Sequence, residues 1–244
     1  MKKFLVTLIL AVQSLLGVEA LAAPCTMSTL TAYVGLGSGG CTIGNFKFSD
    51  FRLLQPPTGS AHFSVVNVTP VANGTTAVGL NFDVNASASA GTLLEDLISY
   101  RITGIGASLN GASIFFTGSS ATGNGAVTVV ENLCIGGLFL GADGVSGCST
   151  LRDPNLIVFD TLGIAEPSAS LAFLPAALLA VVTDIAVDGG GTGGFASLVS
   201  ASNRFQIAAV SAVPEPGAFL LLIAGLLALF GSRAARSFHV SRLA

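Results

Sequence analysis

The chain is predicted to fold as an all-β protein, a two-sheet antiparallel β-sandwich, set between an N-terminal signal peptide and a C-terminal short transmembrane helix. Three observations carry this. About ten short apolar runs of strand length follow one another between residues 23 and 212, several of them alternating with period two. Turn dipeptides separate them, and helical periodicity is almost absent. Faces of that kind are buried by packing one antiparallel sheet on another.

At the front, Lys2 and Lys3 precede an apolar stretch from Phe4 to Leu16, and small residues follow. That order is the pattern of a secretory signal peptide, here residues 1 to 22, rather than of a structural helix. Ala20-Leu21-Ala22 satisfies the small-x-small cleavage rule and frees Ala23 as the new N-terminus. Passage through the Sec translocon and cutting by signal peptidase are the expected steps. Pro24 immediately before Cys25 spoils a lipoprotein pattern.

The exported domain spans residues 23 to 212, enough for one sizeable core. Its expected strands begin with Asn45 to Phe51 and Ala61 to Val68, the latter with Phe63 and Val65 on one face. Thr76 to Val84, Leu97 to Thr103, Ala112 to Thr117 and Ala126 to Leu133 follow, then Leu156 to Asp160, Ser168 to Phe173, Leu178 to Val187 and Phe195 to Ala201. The expected turns are Asn73-Gly74, Asn110-Gly111, Asn124-Gly125, Asp143-Gly144 and the run from Asp188 to Gly194. Leu174 to Val182 is open to a second reading, a short helix with Pro175 near its start.

Four cysteines fall in this domain, as two local pairs: Cys25 with Cys41 and Cys134 with Cys148. An exported chain meets an oxidising compartment, so disulfides are expected. Three pairings are formally open, and the two local ones are favoured because each closes a short, Gly-rich loop. Metal-thiolate ligation is disfavoured by the lack of Cys-x-x-Cys spacing.

The last thirty-two residues form a third segment, 213 to 244: Val213-Pro214-Glu215-Pro216, an uncharged apolar run, then Arg233, Arg236 and Arg242. From Ala218 to Phe230 the run makes a helix of only ~20 Å. A hydrocarbon core is about 30 Å thick, so such a span is marginal. Arginines beyond it form a basic tail of the kind retained in the cytoplasm, which leaves the chain before Pro214 outside. The two prolines hold Glu215 in an extended segment that a protease can reach.

This arrangement resembles the PEP-CTERM sorting signal of Gram-negative bacteria. The resemblance implies export, an inner-membrane-anchored precursor, recognition of Pro214, Glu215 and Pro216 by the processing enzyme exosortase, and transfer to the cell surface or extracellular space. It also implies association with exopolysaccharide. The opening of the domain, with Cys25, Leu30, Tyr33, Cys41, Phe46, Phe48 and Phe51, is similar to that of many exported PEP-CTERM proteins, and so are Thr183 to Val187 and Asn203-Arg204-Phe205 near its end. That likeness implies an architecture and no reaction.

Composition excludes several functions. Residues 23 to 212 hold five basic side chains (Lys47, Arg52, Arg101, Arg152, Arg204) against eleven acidic ones, 5 − 11 = −6, so nucleic acid is no expected partner. Enzymatic activity is not expected either. His62 is the one exported histidine, no Gly-x-Ser-x-Gly elbow accompanies it, and Glu95-Asp96 reads as a solvated turn. No cofactor is expected. Calcium is the metal that loops such as Asp184 to Gly194 and Asp143-Gly144 would suit, but neither has a recognised ligand spacing, and Asp-capped turns explain them.

Two function classes remain. The first is a structural component of the cell surface or polysaccharide matrix, which the Ser/Thr/Gly-rich, disulfide-pinned composition favours. The alternative is a β-sandwich module that binds carbohydrate or another ligand. Sugar binding usually uses aromatic platforms, and with Trp absent only Tyr33 and Tyr100 are available, the phenylalanines reading as core.

Overall fold

A computed structural model of the chain describes residues 22–54, 59–141 and 144–209. The expected signal peptide lies outside these residues except for Ala22, as does the whole sorting segment with Val213, Pro214, Glu215, Pro216, Arg233 and Arg236. Among the described residues no helix is long and apolar enough to cross a membrane.

The elements in chain order are β1 (Ser28–Thr29), α1 (Leu30–Gly35), β2 (Cys41–Ile43), β3 (Phe46–Leu54), β4 (Asn67–Asn73), β5 (Ala77–Ser89), β6 (Leu93–Gly104), β7 (Leu109–Thr117), β8 (Ser120–Thr122), β9 (Ala126–Ile135), β10 (Asn155–Thr161), β11 (Ile164–Glu166), β12 (Ser168–Ala176), β13 (Leu178–Asp188) and β14 (Phe195–Ile207). They form two antiparallel sheets. One has the order β1-β4-β5-β14-β7-β12, with β8 also paired to β14; the other runs β11-β10-β9-β13-β6-β3-β2. The all-β, two-sheet prediction holds for the domain.

Strand alternation builds the core. In the first sheet, Val78, Leu80, Phe82 and Val84 of β5 turn inward with Ala112, Ile114 and Phe116 of β7 and Ala201 and Phe205 of β14. Opposite them lie Ile98, Tyr100 and Ile102 of β6, Leu179, Val181 and Ile185 of β13, and Val127, Val129 and Leu133 of β9. A slip of one residue in any of these strands would carry its apolar set to solvent, so the pattern also sets the register. Tyr100 is the centre of an aromatic cluster: Phe51, Phe48, Phe82 and Phe205 lie 5.3, 6.2, 6.3 and 6.5 Å from its ring. Tyr33, 5.0 Å from Phe51, donates its hydroxyl to the Thr26 carbonyl at 2.8 Å, and burial pushes its pKa up to about 12.

Both local disulfides are present, Cys25–Cys41 and Cys134–Cys148, with Cα atoms 4.8 and 5.3 Å apart. The first ties the extended start of the domain to β2, beside the hydrogen bond from the Cys25 N–H to the Thr42 carbonyl. The second closes the loop between β9 and β10.

Several local expectations are corrected. Asn110-Gly111 is no turn but lies within the first residues of β7, and a Cβ on Gly111 would meet the Gln206 side chain at 2.7 Å, so glycine serves close packing there. The stretch before Asn67 is irregular apart from one bridge, Ala61 with Leu94; Phe63 is buried while Val65 is 52% exposed. Leu174 to Val182 is strand rather than helix, because pairing of β12 with β7 and of β13 with β6 and β9 outweighs local helix propensity. A six-residue helix, α1, was not expected; Thr29 caps it, its hydroxyl accepting the Ala32 N–H.

The glycine run after Asp188 is a packed turn. The Asp188 carboxylate accepts the Gly190 N–H at 2.7 Å, and Gly190, at φ +66°, lies where any Cβ would strike the Asn124 carbonyl. Among the described residues no group of three or more His, Cys, Asp or Glu could hold a metal.

Candidate functional site

Three places bring polar chemistry together. The outer face of the first sheet carries a polar ladder: Asp83 accepts from Asn81 at 2.6 Å and from Thr69 at 3.3 Å, Ser202 donates to Asn81, and Thr117 bonds Ser200 at 2.8 Å. Arg204 lies 5.4 Å over the Phe115 ring in the same face. While the buried Arg204 Nε has no hydrogen-bond partner among the described residues, Asp83, Asn81, Thr69, Ser202, Thr117 and Ser200 satisfy one another. They stabilise the sheet and leave little for a ligand.

A recess of about 370 Å³ lies between α1, the segment 63–66 and the edge of β3, with Leu30, Val34, Leu53, Phe63 and Val66 in its walls. The one charged group among its described lining residues is Asp96, 1% exposed, which meets His62 Nδ1 at 2.5 Å. Burial raises the Asp96 pKa, while His62 and the Phe63 N–H act against that shift. Glu95 and Asp96 are therefore no solvated turn: both are buried within β6, on opposite faces of the sheet.

A smaller recess of about 190 Å³ opens on the outer face of the second sheet and is chemically richer. Asp50 and Arg52 of β3 and Ser99 and Arg101 of β6 line its floor; Leu138, Phe139, Gly141 and Gly144 of the β9–β10 loop form one wall. A bulge makes this possible. Ser49 pairs with Arg101 and Arg52 with Ser99, so Asp50 and Phe51 together oppose Tyr100. Asp50 takes φ +56°, a left-handed conformation that Asp tolerates better than most residues, and its N–H turns to the Gly37 carbonyl at 2.9 Å. Phe51 then enters the core at 2% exposure, and both its polar neighbours stay outside.

The cleft is half organised. Asp50 Oδ2 accepts the Ser49 hydroxyl at 3.0 Å and lies 3.5 Å from Arg101 Nη1, the two side chains being 26% and 37% exposed. Arg52 is exposed and has no hydrogen-bond or ion-pair partner among the described residues. The wall is held by the Cys134–Cys148 bond, by the Leu140 N–H to the Gly147 carbonyl at 3.0 Å and by the Gly141 N–H to the Ser146 carbonyl at 2.9 Å. Strands and a pinned loop thus present two guanidinium forks, a carboxylate and a hydroxyl beside the Phe139 ring.

The two tyrosines that the sequence offers as sugar platforms are not available. Tyr33 is 2% and Tyr100 3% exposed, so neither presents a face to a ligand. The cleft residues were missed because nothing in a sequence marks a bulge whose left-handed residue is Asp. The one trace was charge: three of the domain's five basic residues, Lys47, Arg52 and Arg101, sit on the neighbouring strands β3 and β6.

No family model matches the chain, and no curated protein matches it. Among solved structures, the chain is similar to TmCBM61 in complex with β-1,4-galactotriose, at TM-score 0.27 and 11% identity over 60% of this chain and 90% of that one. It is also similar to an infectious bursal disease virus structure, at TM-score 0.12 and 16% identity over 78% of this chain and 61% of that one. Likenesses of this size transfer neither fold nor ligand, and the sandwich stands on its own strand pairing.

Proposed function

We propose that the chain is an exported cell-surface protein whose β-sandwich binds a carbohydrate in the cleft of Asp50, Arg52, Ser99 and Arg101. The single observation that carries this reading is the Arg52 guanidinium, unpaired among the described residues and held beside Asp50, Ser99 and Arg101 under a disulfide-pinned wall. Donors and acceptors fixed on rigid strands meet sugar hydroxyls without much ordering cost. The Phe139 ring supplies the apolar edge that such sites use.

Delivery is proposed to follow the sorting segment. The signal peptide takes the chain through the Sec translocon, the span after Pro216 holds the precursor in the inner membrane, and exosortase acts at Pro214-Glu215-Pro216. Two disulfides fit a protein that matures in an oxidising compartment. Titration of the purified full chain, in mild detergent, against an array of bacterial and plant glycans tests the reading. Saturable binding that Asp50→Ala and Arg52→Ala both weaken supports it; a blank array overturns it and leaves a structural component of the exopolysaccharide matrix.

A further inference from the structure

The free guanidinium of the cleft points to a class of sugar. Residues 23 to 212 carry −6, yet the described cleft residues include two guanidinium groups, Arg52 and Arg101. Asp50 engages only one edge of Arg101, at 3.5 Å. Arg52, one register step away beside Ser99, keeps its whole fork free among the described residues. A planar guanidinium with parallel N–H donors matches a planar carboxylate, and a bond of that kind is stronger than one to a neutral hydroxyl.

We infer that this cleft selects an acidic glycan, with the carboxylate of a uronate residue on Arg52 and its neighbouring hydroxyls on Asp50 and Ser99. The inference rests on the proposed carbohydrate-binding reading and adds the class of sugar. Asp50 contributes to selection as well: it accepts from sugar hydroxyls and disfavours a second acidic group at its own position.

The experiment measures binding of the full chain, in mild detergent, to four probes: polygalacturonate, its fully methyl-esterified form, a neutral β-1,4-galactan and a sulfated galactan. Polygalacturonate is expected to bind tightest and to lose affinity as salt rises, since exposed charge pairs are screened. Arg52→Ala should weaken it about tenfold or more, and Arg52→Lys should recover only part of that, because an ammonium lacks the fork. Arg52 is exposed, so the fold should survive both changes; an unchanged melting temperature checks this.

If the ester or the galactan binds as well as the acid and Arg52→Ala changes nothing, selection for acid is overturned while carbohydrate binding stands. Tighter binding of the sulfated galactan overturns the uronate assignment. No binding to any probe overturns both readings.

Discussion

Asn203 of β14 donates its side-chain amide to the Tyr100 hydroxyl of β6 at 2.9 Å, a hydrogen bond that joins the two sheets through the middle of the core. The same amide reaches Thr183 Oγ1 at 2.5 Å, and Glu131, fully buried, pairs in register with Thr183 on the neighbouring strand. A sandwich core filled by side-chain shape alone tolerates sliding of one sheet over the other. A buried polar contact between named strands disfavours that sliding.

Tyr100→Phe keeps the ring contacts and removes the hydroxyl. Loss of about 1 kcal/mol of unfolding free energy is expected, the usual net value of such a bond. Urea denaturation of the full chain and the variant measures it, and coincident midpoints would show that the link contributes nothing.

Stability should fall as pH rises. Burial and the neighbouring Glu95 push Asp184 up to about 7, and burial alone holds Glu131 well above the carboxylate range. A carboxyl group whose folded pKa is raised stays protonated in the native state after it has ionised in the unfolded one, so its contribution is complete below about pH 4 and is lost as pH climbs through the folded value. For Asp184 that window runs from about 4 to about 7. Asp184→Asn should therefore flatten the decline in melting temperature between pH 5 and pH 8. An equal decline in both proteins would sink the assignment.

The two disulfides differ in consequence. Each closes a loop of similar length, with sequence separations of 16 and 14, and each should stabilise by about 3 kcal/mol. Only Cys134–Cys148 supports the wall of the cleft. Replacing both cysteines of that pair with Ser should lower stability and weaken glycan binding together; the Cys25 and Cys41 double change should lower stability and leave affinity alone. Calorimetric melting and binding titration on the same samples separate the two.

Glu215→Ala or Pro216→Ala should leave the precursor in the inner membrane if the tail is an exosortase signal. Cell fractionation with mass measurement of the mature C-terminus reads this out. Normal surface release of either variant would contradict the sorting proposal.

Alternation over Phe46, Phe48, Val78, Leu80 and Phe82 was enough to announce paired strands, because period-two burial is a property of the backbone alone. Cysteine spacing likewise favoured the local pairings that form. Asn110-Gly111 misled because a dipeptide reports turn propensity, while its place in β7 is set by pairing with β12 and β14 on either side. Glu95 and Asp96 misled in the opposite direction: carboxylates read as solvated until the strand faces that bury them are known.

Sequence by itself determined what depends on neighbours a few residues apart: the class of fold, the strand faces, the cysteine loops, and the export and sorting expectations for the two ends. Tertiary structure decided where Asp50, Arg52, Ser99 and Arg101 meet. That meeting needs a one-residue bulge and pairing across about fifty residues of chain, and the energy of such pairing lies in contacts that no local pattern encodes.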